Sequence, residues 1–293
     1  MTILLTGGTG FLGAALLEPL AARDEVVAVH RPTATPPTVE GVRWIAQDLA
    51  APLVAGLPDH VDAAVHLAQS RRYREFPDAA LDIFDLNMGA AVRLLDYARR
   101  SGARKFVLAS SGAVYAPRSE PLREEDALSP ANLYATCKMG AEYTAPHFGD
   151  YFDIAMLRYF FIYGPGQRDM FIPGIVNRVL SDLPVSLSSE VGIRVNPVFV
   201  DDAVAATLAA LDRCGVAAYN VAGPDVVSLR EMAEIVGALV GKAPTFVAGE
   251  GAQDFVADIN RMSTALVRPQ IGMREGLQRT VAAVLEPGAT VSA

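Results

Sequence analysis

The 293-residue sequence has few of the residues that form disulfide frameworks and metal clusters. Cys137 and Cys214 are its only cysteines, so neither a disulfide framework nor a multi-cysteine zinc site is indicated, and a reducing cytoplasm fits. The four histidines lack the spacing of metal ligands, and we predict no metal. No stretch approaches about 18 uninterrupted apolar residues, which argues against a membrane span.

Positive charge is also scarce. The 25 Lys and Arg residues are outnumbered by 33 Asp and Glu residues, and no basic stripe offsets the net charge of −8. We therefore expect no nucleic-acid partner. The densest basic run is Arg71-Arg72-Tyr73-Arg74, a pattern typical of a solvated loop or an anion contact, and Arg71 is a candidate substrate contact.

The most informative stretch is Thr6-Gly7-Gly8-Thr9-Gly10-Phe11-Leu12-Gly13, which lies between an apolar run at 3–5 and a helical pattern at 14–20. The order is strand, glycine turn, helix. Three glycines at this spacing allow a tight turn and a close approach to a pyrophosphate, although ordinary turns also contain such glycines. The candidate dinucleotide contacts here are Gly7, Gly10, Phe11, Leu12 and Gly13.

The residues after the second apolar run, 25–29, bear on the choice of cofactor. In NAD-binding proteins an acidic residue about 20 positions past the glycines commonly binds the adenosine ribose. This chain has His30 and Arg31 there, and a guanidinium is suited to pair with a 2′-phosphate. The cofactor is NAD or NADP, and the pattern favours NADP; the alternative is an exposed arginine at a strand end.

Strand and helix patterns alternate through the first half of the chain. Further strands are predicted at 42–46, 62–68 and 106–109, and a long amphipathic helix at 78–100. This alternation predicts an α/β fold, a doubly wound parallel Rossmann sheet.

Several residues that follow these strands are candidate cofactor contacts. Asp48 is placed to accept from the adenine amino group or to cap the next helix. The segment 67–69 is expected beneath the nicotinamide half, and Asn87 falls among apolar neighbours in the long helix. The candidates are Asp48, Leu49, Leu67, Ala68, Gln69, Asn87 and Ser110.

The candidate acid–base residues lie in the segment Tyr134-Ala135-Thr136-Cys137-Lys138. Its spacing puts a phenol and an ammonium on one helical face. A free tyrosine has a pKa of about 10, so it needs a neighbouring cation to favour the phenolate, and Lys138 is able to supply one. Ser111, at the end of a strand, is placed to orient the substrate oxygen while Tyr134 exchanges the proton. A surface Tyr–Lys pair is the alternative interpretation.

Taken together, these motifs resemble the extended short-chain dehydrogenase/reductases of the NAD-dependent epimerase/dehydratase type, from Thr2 to about Leu285. The resemblance also includes Leu157-Arg158-Tyr159-Phe160, Tyr163-Gly164-Pro165 and Val200-Asp201-Asp202. It implies that Ser111, Tyr134 and Lys138 are catalytic and that Asp48, Leu49, Ala68, Asn87 and Phe160 contact the cofactor. It further implies a homodimer formed by the long helix and the Tyr134 helix.

The resemblance also narrows the range of reaction types expected for this chain. Dehydratases of this type have Asp-Glu after the catalytic hydroxyl residue, whereas Gly112-Ala113 follow Ser111 here, which favours 4-epimerases and 4-ketoreductases of nucleotide sugars. Phe161 stands where the epimerases have a diphosphate-binding Asn. The epimerases also have a basic residue shortly before a late Ala-Asp pair, and this chain lacks one before Ala257-Asp258. Arg71, Arg168 and Arg194 remain candidate phosphate partners. The alternatives are an NADPH-dependent reductase of a smaller carbonyl and a non-catalytic dinucleotide-binding protein.

The chain is expected to comprise a Rossmann core at 1–163, to which a segment at about 193–222 returns. A smaller C-terminal substrate lobe is predicted at 164–192 and 223–286, followed by a flexible tail at 287–293.

Overall fold

The computed structural model describes residues 1–53, 56–251 and 253–286. The predicted tail, 287–293, lies outside the described residues. The chain divides into two compact units. The first comprises Met1–Ala116, Glu124–Tyr159 and Val204–Asn220, and the second comprises Pro117–Arg123, Phe160–Ala203 and the chain from Val221 onward.

The strands are numbered in chain order. They are β1 (Thr2–Thr6), β2 (Glu25–His30), β3 (Val42–Ala46), β4 (Ala63–His66), β5 (Lys105–Ser111), β6 (Asp153–Tyr159), β7 (Val185–Leu187), β8 (Arg194–Val195), β9 (Val216–Val221), β10 (Val227–Ser228) and β11 (Phe246–Ala248).

The helices are numbered in the same way. They are α1 (Phe11–Ala21), α2 (Ala80–Phe84), α3 (Ala90–Arg100), α4 (Leu133–Thr144), α5 (Phe171–Leu180), α6 (Val200–Ala210), α7 (Leu229–Val240) and α8 (Met273–Leu285). Within the described residues, no helix has the length and apolarity needed to cross a bilayer.

A seven-stranded sheet with the order β3-β2-β1-β4-β5-β6-β9 forms the centre of the fold. The pairs from β3 to β6 are all parallel. The Rossmann-like α/β class predicted from the sequence is confirmed. In β1 the side chains of Ile3, Leu4 and Leu5 are fully buried, as expected for a strand with both faces covered. The register pairs Thr6 with His66 and therefore brings the carboxyl ends of β1 and β4 to the same sheet edge.

The long helix predicted at 78–100 is interrupted. Helix α2 begins only at Ala80, a π-helical turn follows at Asp85–Gly89, and α3 continues to Arg100. The wider turn accommodates one extra residue, and Asn87 within it is buried. Such π turns occur often at functional sites.

Helix α4, which carries Tyr134, begins and ends at clear signals. The Asn132 side chain caps its start by accepting from the N–H of Ala135 at 3.0 Å. After Thr144 the chain enters a 3₁₀ turn containing Pro146, which lacks the N–H that a continuing helix would need.

The second unit contains small two-stranded sheets, β7 with β11 in parallel and β8 with β10 antiparallel. Helix α7 starts with a capping box in which Ser228 and Glu231 exchange hydrogen bonds with each other's backbone. It ends at Gly241, whose left-handed conformation suits a helix C-terminus.

Candidate active site

The turn between β1 and α1 has room only for glycine at two positions. Gly7 has a φ of 77°, and a Cβ on it would lie 2.7 Å from the backbone nitrogen of Ala68. A Cβ on Gly13 would overlap the carbonyl oxygen of Gly7. Gly10 precedes α1, and no side chain caps the start of this helix. The first backbone N–H groups of the helix are therefore available to bind an anion. This cradle fits the diphosphate of a dinucleotide.

The next part of the site is the end of β2. The rings of His30 and Trp44 meet edge to face at 5.9 Å, and Arg31 is exposed directly after the strand. Asp48 accepts from the N–H of Ala50 at 2.9 Å, so its carboxylate stabilises a local turn. Contact between Asp48 and adenine stays a prediction.

Buried polar groups lie in the segment after β4 and in the π turn. The Asn87 side-chain oxygen accepts from the N–H of Ser70 at 3.3 Å, and Ser70 donates in turn to the carboxylate of Asp82. The Asn87 amide nitrogen and the Ser110 hydroxyl are buried, and the described residues give neither a hydrogen-bond partner. Buried polar groups normally have partners, so both are suited to a bound ligand.

The hydroxyl of Tyr134 is in contact with two other side chains. It donates to the amide oxygen of Gln69 at 3.1 Å, and the side chain of Ser111 lies close enough to lower its pKa. The ring of Tyr73 lies 5.2 Å from that of Tyr134 between centroids. Burial raises the pKa of Tyr134 to about 12 and outweighs the lowering by Ser111, so the phenol is protonated in this state.

Lys138 lies one turn after Tyr134, and its Nζ is 5.9 Å from the centre of that ring. The ammonium donates to the carbonyl of Ala109 at 2.8 Å. Burial lowers the pKa of Lys138 to about 8, while the carboxylate of Glu142 opposes that shift. The sequence led us to expect that Lys138 would favour the phenolate, but in this state burial of the phenol dominates.

Sequence reasoning missed a buried pair formed by Thr6 and His66, whose imidazole is influenced by the charge of Lys138. The Nδ1 of His66 and the hydroxyl of Thr6 are 2.7 Å apart at the ends of β4 and β1. Burial, with a smaller contribution from the charge of Lys138, lowers the pKa of His66 to about 3, so the ring is neutral. The pairing depends on strand order, which the sequence does not give.

Sequence reasoning also missed the ion pair that anchors α4 to the sheet. In this pair Arg158 of β6 donates to the carboxylate of Glu142 in α4. A sequence signal existed, because Glu142 follows Lys138 by four residues and therefore lies on the same helical face. Tyr73 was noted only as part of a basic run, and nothing in that run indicates its packing on Tyr134.

The remaining predicted contacts lie in the second unit. Phe160 is buried against Phe255, with ring centroids 5.2 Å apart. Phe161 has a φ of 46°, in the left-handed region that a bulky residue rarely adopts. Arg194 forms an ion pair with Asp254 at 2.7 Å, and Arg168 is exposed. The proposed roles of these residues toward cofactor and substrate stay predictions.

Comparison with known proteins identifies the family. The profile of the NAD dependent epimerase/dehydratase family matches residues 3–222. The chain belongs to this family. It is therefore an NAD(P)-dependent enzyme of the short-chain dehydrogenase/reductase superfamily, and the family predicted from the motifs is confirmed.

Two curated members of the family illustrate its chemistry. The chain is 31% identical to a UDP-glucuronate 4-epimerase of Thermodesulfobacterium geofontis, over 75% of this chain and 72% of that protein. It is 27% identical to a dTDP-4-dehydro-6-deoxy-D-allose reductase of Streptomyces bikiniensis, over 95% of this chain and 94% of that protein.

A solved structure shares the fold across almost the whole chain. MoeE5 in complex with UDP-glucuronic acid and NAD superposes with a TM-score of 0.83 and 26% sequence identity. The superposition covers 97% of this chain and 99% of MoeE5.

Proposed function

We propose that this family member moves a hydride at a carbinol or keto carbon of a nucleotide-activated sugar, as a 4-epimerase or a 4-ketoreductase. The observation that carries the proposal is the placement of Tyr134, whose hydroxyl donates to Gln69, whose pKa is lowered by Ser111, and whose ring centre is 5.9 Å from the buried ammonium of Lys138. The two curated relatives support the substrate class, because one is an epimerase of a UDP-sugar and the other a reductase of a dTDP-sugar.

Some of the candidate residues hold the cofactor, and others take part in the proton transfer. The glycine turn at Gly7, Gly10 and Gly13 holds the diphosphate, and the amide of Asn87 supplies a buried donor. A bound nicotinamide dinucleotide supplies the hydride acceptor or donor. Tyr134 takes the proton of the sugar hydroxyl during oxidation and returns a proton to the keto oxygen during reduction, while Ser111 orients that oxygen.

Replacement of Tyr134 tests this assignment. Tyr134→Phe is expected to lower turnover of UDP- or dTDP-sugars by about 10²–10⁴-fold, because it removes the proton-transfer group and little else. Dinucleotide binding, measured by calorimetric titration, should be retained. Tyr143→Phe, on an exposed tyrosine of the same helix, is the matched control and should keep full activity. Unchanged turnover in Tyr134→Phe would refute the assignment. Activity on simple ketones alone would favour the smaller-carbonyl reductase.

For the cofactor we propose NADP in preference to NAD. The support is the exposed guanidinium of Arg31 at the end of β2, where no carboxylate opposes a 2′-phosphate. Arg31→Ala is expected to weaken NADP binding by about 10-fold and to leave NAD binding unchanged, as measured by calorimetric titration. Arg100→Ala, at the exposed end of α3, is the control. Equal effects of Arg31→Ala on both dinucleotides would refute the proposed contact between Arg31 and the 2′-phosphate.

We further propose that the enzyme is a cytoplasmic homodimer. Support comes from apolar side chains exposed along α2, where Leu81 is 77% and Phe84 is 46% exposed. Both cysteines are free, which suits a reducing compartment. Leu81→Arg is expected to shift the sedimentation coefficient from dimer to monomer, whereas Leu183→Arg, on an exposed leucine of the second unit, should not. A wild-type monomer would refute the homodimer.

A further inference from the structure

The hydrogen bond between Tyr134 and Gln69 has a defined direction. The phenol hydroxyl is the donor and the amide oxygen Oε1 of Gln69 is the acceptor, at 3.1 Å. Gln69 is three residues beyond His66, the last residue of β4, and its neighbour Ser70 is fixed by Asn87 and Asp82. The acceptor is therefore attached to a segment anchored on both the sheet and α2.

We propose that Gln69 is a positioning residue that holds Tyr134 as a protonated donor and thereby prepares the resting site for reduction of a ketone. The inference rests on the proposed role of Tyr134 as the acid–base group. It adds a residue to that role and specifies which protonation state of Tyr134 the resting site stabilises.

The physical basis is that only the protonated phenol is able to donate to a carbonyl-type oxygen. A bond to the neutral form stabilises that form relative to the phenolate. During ketone reduction the Tyr134 O–H turns from Gln69 to the keto oxygen and gives it the proton, while the carbon receives the hydride from the reduced nicotinamide. The products are an alcohol, a phenolate and the oxidised nicotinamide. An alcohol substrate requires the reverse, so Tyr134 must first lose its proton and the bond to Gln69.

The other groups near Tyr134 act differently. Ser111 lowers the pKa of Tyr134, and Tyr73 raises it. The guanidinium of Arg74 is 5.4 Å from the ring of Tyr73. The ammonium of Lys138 donates to the Ala109 carbonyl, and its Nζ is 5.9 Å from the centre of the Tyr134 ring.

Two further titratable groups act through Lys138. Glu142 raises the pKa of that ammonium, and the ammonium lowers the pKa of the buried, neutral His66. Gln69 is thus the uncharged acceptor for the phenol proton among the described contacts.

The pH profile of the holoenzyme tests the proposal. Gln69 is exposed, so Gln69→Met keeps the length of the side chain, removes the acceptor and should leave the fold intact. The limb of kcat/KM assigned to Tyr134 should move to lower pH by about half a unit, in both reaction directions. Gln69→Glu should move the same limb to higher pH by about one unit, because a carboxylate repels the phenolate.

A second measurement does not depend on activity. The ¹³Cζ resonance of labelled tyrosine reports the protonation of each phenol, and the signal of Tyr134 is identified by its loss in Tyr134→Phe. Its titration should shift in the same directions as the kinetic limb in both Gln69 variants. Gln278→Met, on an exposed glutamine of α8, is the control and should shift neither measurement.

The outcomes separate the two proposals. If Tyr134→Phe retains turnover, the proposed function fails. If Tyr134→Phe is inactive but Gln69→Met leaves the limb in place or moves it to higher pH, the inference about Gln69 fails alone. Opposite shifts of the limb in Gln69→Met and Gln69→Glu, matched by the resonance of Tyr134, would support it.

Discussion

The guanidinium of Arg158 and the carboxylate of Glu142 form a buried ion pair, 2.6 Å apart, between β6 and α4. The same guanidinium donates to the hydroxyl of Tyr115 and to the carbonyl of Glu124 at 3.0 Å. Because Glu142 lies on the helical face that carries Lys138, this pair fixes the side of α4 that faces the sheet. The orientation of the candidate acid–base residues therefore depends on a contact outside the site.

The first prediction concerns removal of one partner of this pair. Arg158→Leu leaves the carboxylate of Glu142 buried without a counter-charge, and the free energy of unfolding should fall by about 3–5 kcal/mol. Urea denaturation measures the change. Arg99→Leu, which breaks an exposed pair with Asp96, is the control and should cost about 0–1 kcal/mol. Similar losses in both variants would show that burial adds nothing to the Arg158 pair.

The second prediction concerns the glycine turn. Gly13→Ala forces a Cβ into the carbonyl of Gly7, so dinucleotide binding should be lost and the free energy of unfolding should fall by about 1–3 kcal/mol. Gly174→Ala in α5 is the matched control, because a Cβ there meets nothing within 4 Å. It should raise stability by about 0.5–1 kcal/mol. Normal dinucleotide binding by Gly13→Ala would contradict the proposed cradle.

The third prediction concerns acid stability. The pKa of His66 falls from 6.5 to about 3 on folding, so folded and unfolded chains are both neutral at this ring above pH 6.5. As the pH falls from 6.5 towards 3, the unfolded chain binds a proton that the folded chain does not, and stability should fall by up to about 1.4 kcal/mol per pH unit.

Urea denaturation of His66→Gln between these pH values should show a smaller slope, although the variant loses some stability at neutral pH through Thr6. His147→Gln, on an exposed histidine, should keep the wild-type slope. An unchanged slope in His66→Gln would mean that His66 is not the group responsible.

The sequence was sufficient for the class of fold because its signals are local. Glycine spacing after an apolar run and the alternation of strand with helix are set by a few neighbouring residues, and they located β1, α1 and the parallel sheet. The spacing of Tyr134 and Lys138 likewise placed both on one face of α4, as found.

The features of the site that could not be predicted from the sequence depend mainly on contacts between residues far apart in the chain. The bond from Tyr134 to Gln69 spans 65 positions, and the pair of Thr6 with His66 spans 60. The π turn around Asn87 leaves no periodic signal, because it adds one residue to an otherwise regular helical pattern. The burial that raises the pKa of Tyr134 likewise cannot be predicted from helical spacing.

The first compact unit is assembled from three separate stretches of chain, and its last stretch, Val204–Asn220, includes most of β9. No single stop codon or protease cut can therefore release it intact. Anyone wishing to graft its dinucleotide cradle onto another protein would have to excise the two intervening stretches and join the three pieces with new loops, because a simple truncation after β6 discards an edge of the sheet.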